Sequence, residues 1–177
     1  YSMAFQFHKY GRLIVSAGSN FFPSELGGLS LWLDSNDTSS IATSVPNKVS
    51  TWTDKSSNKY VFNAAGAGNV STGISNINTV NTIDFDGNSY LLSDSPFPMG
   101  NDLSIFIVAE IDSVDNVNDS LISMRGGSAS NWQIDAGASV NKFNIRLFGT
   151  NVTTKLFSAN HEAGPAIFGF IFNLSLN

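Results

Sequence analysis

The sequence predicts an all-β protein, an antiparallel β-sandwich preceded by an extended N-terminal arm. Three observations predict it. No window of a dozen residues carries an apolar stripe at helical spacing without Gly, Asn or Ser breaking it. Short apolar or alternating segments recur instead, separated by clusters of Asn, Gly, Ser and Asp, the pattern of many short strands joined by turns. The third is composition: 14 Phe and 3 Trp, with charged residues at 13%, about half the usual ~25%. Aromatic side chains fit a pleated, half-buried surface, and the weakly charged Ser/Thr/Asn surface suits secreted and particle-surface β proteins.

Residues 1–26 read as the arm. Met3, Phe5 and Phe7 alternate with Ala4, Gln6 and His8, and an apolar, Gly-punctuated stretch follows. Apolar side chains in an arm need a surface, so it is expected to pack on its own domain or on a neighbouring subunit. Residues 27–177 read as the sandwich. Strands are expected at 29–33, 49–53, 59–63, 79–85, 90–93, 103–111, 119–124, 131–135, 143–148, 152–157 and 166–176. A single helical turn is expected at 24–26 or within 34–41, and G-A-G-N-V-S-T-G at 66–73 reads as a loop. In 103–111, Leu103, Ile105, Ile107, Ala109 and Ile111 share one face, and Ser104, Phe106, Val108 and Glu110 the other. Both faces are apolar in the middle, which predicts a central strand covered on both sides; 166–176 shows the same pattern.

Charge and cysteine content exclude several functions. Net charge is −5, and the nine Lys and Arg form no cluster. The basic footprint that binds nucleic acid or an anionic membrane surface is missing. With no cysteine there is neither a disulfide nor a Cys-ligated metal. The longest apolar runs, 105–109 and 166–172, fall far short of the ~20 residues that span a bilayer. The N-terminus shows no signal-peptide pattern, and Tyr1 as first residue fits a mature or partial form.

Three stretches carry a family resemblance: L-S-L-W-L-D-S-N-D-T at 29–38, V-S-T-W-T-D-K-S-S-N at 49–58 and I-D-F-D-G-N-S-Y-L at 83–91. In this order, followed by L-S-I-F-I-V-A-E-I, they resemble the concanavalin A-like, laminin-G-like jelly roll of bacteriophage structural proteins and bacterial surface proteins. Leu31 to Asp34 match its opening strand; Trp52, Asp54, Ser56 and Asn58 match its Trp-x-Asp-x-Ser-Gly-Asn turn, with Ser57 in place of Gly; Phe85, Asp86 and Gly87 match its Phe-Asp-Gly hairpin. The resemblance covers about residues 27–176. It implies further closing strands beyond the last segment here, and a sheet lacking them leaves edges that invite pairing with other chains.

Asp84 and Asp86 raise the question of calcium. As the start of an EF-type loop, Asp84, Asp86 and Asn88 fit, but Ser89 stands where Gly belongs and Ser95 where Glu belongs. A hairpin fits better: Asp86-Gly87 or Gly87-Asn88 supplies the positive φ angles of a two-residue turn, and Tyr90 and Leu92 return along the partner strand. A calcium site assembled in space, with Asp34 or Asp37 added, stays open as the alternative. No other cofactor is expected.

Catalytic patterns are weak. Glu110, Asp112 and Asp115 resemble the Glu-x-Asp-x-x-Glu signature of retaining β-glucanases, but Asp115 is shorter than the required second Glu, and the two carboxyls must sit ~5–5.5 Å apart. His8 and His161 stand in no metal-ligand spacing, and no nucleophile elbow or phosphate loop is present. No enzyme is therefore expected. Asn131 and Trp132 are the candidate glycan-binding pair, an aromatic ring beside an amide, against the plainer reading that Trp132 starts a strand and packs inward.

The resemblance and the arm imply a structural or interaction subunit on a virion surface. The expected role is a bacteriophage head decoration, spike or fibre-associated protein. It would be a homo-oligomer among the other subunits of its particle and could contact host glycans. The alternatives are a lectin-like carbohydrate-binding module, extracellular or at the cell surface, and a β-glucanase-like glycosidase.

Overall fold

A computed structural model describes residues 22–95, 102–111, 119–124, 131–136, 142–149, 152–160 and 164–173. The arm at 1–21 lies outside them. The described chain is all-β, with twelve strands and two single 3-10 turns. The turns are Pro23–Glu25 and Thr38–Ser40, at both places where a helical turn was expected. The contacts divide the chain into two compact units, 1–110 with 165–177, and 111–164.

The first unit holds a six-stranded sheet of β1 (Ile41–Val45), β2 (Lys48–Thr53), β3 (Val61–Gly66), β4 (Val70–Ile77), β5 (Val80–Phe85) and β6 (Ser89–Ser93). β2 is its hub. Thr51 pairs with Ala42 on one side and Asn63 on the other; Lys48 pairs with Val45 and with Ser71. So β1 lines one side of β2, while β3 and β4 share the other. All these pairs are antiparallel, as are β4–β5 and β3–β6. Between Ala42↔Thr51 and Thr43↔Val49, β2 carries one extra residue. This bulge lets Val49 and Trp52, three apart, both face inward, and both are fully buried.

Trp52 anchors this core, with Leu31, Leu33, Val70, Ile77 and Ile83. Burying an aromatic of its size removes roughly 150–250 Å² from water, a transfer term of about 4–6 kcal/mol. Its indole N–H finds no acceptor among the described residues, which gives back about 1–3 kcal/mol.

The same unit holds a two-stranded sheet of β7 (Asp102–Ile111) and β12 (Gly164–Asn173). Ile105, Ile107 and Ala109 are buried, as the alternation predicts, together with Phe170. The other face is not covered as expected: Phe106 and Val108 are half-buried, and Ile167 and Ile171 are exposed. With two strands and no second layer described on that side, only one face is sealed.

The second unit is a four-stranded antiparallel sheet in the order β11 (Val152–Asn160), β10 (Lys142–Gly149), β9 (Asn131–Ala136), β8 (Asp119–Met124). Ile134 of β9 pairs with Ile145 and Ile122 and is fully buried.

Three other expectations are corrected. Residues 29–33 form no strand; their inward Leu31 and Leu33 are buried, but the Trp32 backbone hydrogen-bonds to Asp54 and Lys55 rather than to a ladder. Residues 66–73 are not one loop: β3 ends at Gly66 and β4 starts at Val70, pairing with β5. Nor do β5 and β6 form a hairpin, since β5 pairs with β4 and β6 with β3.

Candidate functional site

The two Trp-containing motifs converge on one buried carboxylate. Asp54 follows β2 directly and is 1% exposed. Its Oδ1 accepts from the backbone N–H of Trp32 at 2.8 Å and of Ser56 at 2.8 Å; its Oδ2 accepts from Ser56 Oγ at 2.6 Å and from Tyr60 N–H at 3.4 Å. Around it, Lys55 N–H donates to Trp32 O, Asp54 N–H to Tyr60 O, and Asn58 Nδ2 to Ser30 O. Asp54, Ser56 and Asn58 of the Trp-x-Asp-x-Ser-x-Asn turn thus each bond the main chain of the opening segment, Ser56 through Oγ to Ser30 O at 3.3 Å. Ser57 is not among the residues of positive φ; Lys59 takes that conformation at φ 56°.

Above this corner Lys55 Nζ lies 2.9 Å from Asp34 Oδ2, 2.8 Å from Asp37 Oδ2 and 4.3 Å from the Trp32 ring centroid. Lys55 foremost, with Ser39, lowers the Asp37 carboxyl to about 2. Burial alone would lower Lys55, but the two aspartates more than offset it, so its ammonium is held above the usual lysine range. Asp34 and Asp37, the extra ligands of the calcium reading, are bridged by the Lys55 ammonium, which offsets one of their two charges.

Asp84 and Asp86 serve different partners. Asp84 accepts from Ser75 Oγ and, at 3.1 Å, from Thr82 Oγ1. Asp86 Oδ2 accepts from Asn69 N–H at 2.5 Å, and its Oδ1 from Asn88 N–H at 3.0 Å and Ser89 Oγ at 2.8 Å. These donors, Asn69 first, hold its carboxyl below the usual range. Asn88 O in turn accepts from Ala67 and Gly68 N–H. The 86–88 turn is therefore docked on the 67–69 turn, which is why it does not close a β5–β6 hairpin. Gly66 and Gly68 make that docking possible. A Cβ on Gly66 would lie 2.4 Å from Asn88 O, and one on Gly68 would sit on the Asp86 carboxylate. Among the described residues no three acidic or histidine side chains gather as a metal site.

Asn131 and Trp132 lie at the start of β9, an inner strand, where Trp132 pairs with Leu147 and Met124; their side chains lie outside the description. Glu110 is half-buried on β7. Asp112, Asp115, His8 and His161 lie outside the described residues.

Sequence reasoning missed two features. One is a second polar lock. Ser35 Oγ donates to Asn81 O at 2.6 Å, and Asn81 Nδ2 donates back to Ser35 O at 2.6 Å and to Thr72 Oγ1 at 2.9 Å. Its partners are 46 residues apart, with no local signal. The other is exposed apolar surface on strand faces. Tyr90 and Leu92 of β6 are 54% and 59% exposed beside Asn63 and Ala65 of β3, and Ile167 and Ile171 of β12 are 75% and 74% exposed. The alternation in both strands marked these positions, but not which face would stay open. Comparison with protein-family models, curated proteins and solved structures finds no match.

Proposed function

We propose that this chain is a non-catalytic structural or interaction subunit of a virus particle, with a concanavalin A-like jelly-roll architecture. It acts by being held against other subunits at the virion surface. The observation that carries the reading is the contrast between its polar and apolar side chains. Asp54, Asp86, Asn81, Ser35 and Lys55 are engaged in fixing turns, while large apolar side chains, Ile167 and Ile171 above all, face outward. Exposed apolar strand faces mark interaction surfaces. The resemblance to phage structural jelly rolls supplies the setting. Mass spectrometry of purified particles tests it: the chain should be present in stoichiometric copy number. Recovery only from free protein or cell envelope would refute it.

A carbohydrate-binding module is the second reading, favoured by one observation. The exposed Tyr90 ring shares a strand face with Asn63, its diagonal neighbour: Tyr90 pairs with Ala65, and Leu92 pairs with Asn63. An exposed aromatic ring and an amide on one strand face, about 7–8 Å apart as diagonal neighbours, suit a sugar ring. Glycan-array binding lost in Tyr90→Ala would favour this reading over the first.

A further inference from the structure

We propose that β12 is a self-association edge: two copies of the chain pair their β12 strands antiparallel about a two-fold axis at Gly169. The inference deepens the subunit reading and rests on it only for its biological setting. Strand pairing and particle localisation are read by different experiments.

Three observations converge. First, among the described residues the sheet of β12 contains β7 and β12 alone, so β12 is an edge strand. Edge strands are templates for pairing unless blunted by charge, a bulge or proline. The ten residues Gly164–Asn173 include no charged residue, and their one proline, Pro165, stands at the very start. Second, Ile167 and Ile171 are the most exposed large apolar side chains of the described residues, at 75% and 74%. Third, the segment Ile167-Phe168-Gly169-Phe170-Ile171 reads the same in both directions.

The palindrome selects the occupant. A two-fold contact sets each residue against its symmetry mate, so the same patch must be complementary to itself. Centred on Gly169, antiparallel pairing sets Ile167 opposite Ile171, Phe168 opposite Phe170, and Gly169 opposite Gly169. Two Ile167–Ile171 pairs then form on the outer face, one on either side of the Gly169 axis. There the Phe106 ring already lies over Gly169, 3.2–3.3 Å from where its Cβ would be. A slip of one residue would turn the isoleucines to the opposite face. A slip of two would set isoleucine against glycine. The result is a continuous four-stranded sheet, β7–β12–β12–β7, in which neither β12 is an edge.

The chain has no cysteine, so introduced thiols report alone. Ile167→Cys and Ile171→Cys are prepared separately, then oxidised alone and mixed. Directly opposite residues have Cβ atoms about 4.5–5.5 Å apart, close to disulfide reach. Residue 167 and its own symmetry mate are about 14 Å apart, four residues of strand rise. The mixture should give a 167–171 disulfide-linked dimer, and each variant alone should not. Sedimentation should show a wild-type dimer at micromolar concentration, with Ile171→Lys raising its dissociation constant by about 100-fold, two tenfold steps. Its circular dichroism should not change, since the side chain is exposed. A wild-type monomer throughout the micromolar range overturns the proposal. So does equal cross-linking in all three samples, or no cross-linking at all, as when residues 1–21 or an unrelated protein cover the strand.

Discussion

Replacing Asp54 by alanine should cost about 4–6 kcal/mol, most of a typical stability of ~5–15 kcal/mol. Three donors at 2.6–2.8 Å, from Trp32, Ser56 and the Ser56 hydroxyl, converge on this carboxylate. Hydrogen bonds to a charged group contribute about 1.5–3 kcal/mol each, and deleting their acceptor leaves buried N–H groups unsatisfied. The fourth, from Tyr60 at 3.4 Å, adds little. Because the bonds share one acceptor, their losses do not add fully. Asp54→Asn separates placement from charge. Both backbone N–H groups of Trp32 and Ser56 fall on Oδ1, which the amide oxygen preserves. Ser56 Oγ can turn to accept from the new NH2, and only Tyr60 N–H meets a donor. The cost should fall to about 1–2 kcal/mol. Urea unfolding followed by tryptophan fluorescence in a Trp132→Phe background reads the first unit through Trp32 and Trp52. A loss under about 1 kcal/mol for Asp54→Ala would refute the reasoning. Equal losses for both variants would show that charge, not acceptor position, holds the corner.

That corner also shows where the sequence was legible and where it was not. Alternation in 103–111 located β7 and the inward set Ile105, Ile107 and Ala109, because a period of two is a local property. L-S-L-W-L alternates in the same way, and its Leu31 and Leu33 are buried, yet the segment is no strand, because Trp32 is bound by Asp54 from 22 residues away. β1 was missed since Ala42 to Val45 are all exposed, leaving no apolar face to read. β4 was missed because Gly66, Gly68 and Gly73 look like loop punctuation. Two of these glycines are there to admit Asn88 O and the Asp86 carboxylate. Asp84 and Asp86 stand out in the sequence, but their partners, Ser75 and Asn69, are set by strand pairing that follows from the whole sheet. Asp-Gly signals a turn; it does not say which strands that turn will join.

Gly66→Ala should cost about 1–3 kcal/mol, since alanine is strained at φ 100° and its Cβ would meet Asn88 O at 2.4 Å; an unchanged urea midpoint would contradict it. Trp52→Phe should cost less than about 2 kcal/mol while Trp52→Ala costs about 3–5, because phenylalanine removes the unpartnered indole N–H along with part of the ring. A loss above about 2 kcal/mol for Trp52→Phe would contradict an unpartnered N–H. Asp37 has a folded pKa of about 2 against 3.8, so its contribution is present above pH 3.8 and lost as pH falls toward 2. Lys55→Met should raise its NMR titration midpoint toward the ordinary value, and an unmoved midpoint would exclude Lys55 as the cause. The last prediction concerns calcium. The ion needs 6–8 oxygen ligands, but Asp86 already spends both oxygens on Asn69, Asn88 and Ser89, and Asp84 is engaged by Ser75 and Thr82. Coordination would have to break these bonds. The wild-type melting temperature should therefore be the same in calcium and in chelator. Asp84→Asn/Asp86→Asn should melt lower in both, because an amide NH2 then faces donors. A ligand at 100 times its dissociation constant stabilises by about 2.7 kcal/mol, which a melting curve resolves easily. A calcium-dependent rise of that size, abolished in the double variant, would mean that these aspartates hold an ion rather than a turn.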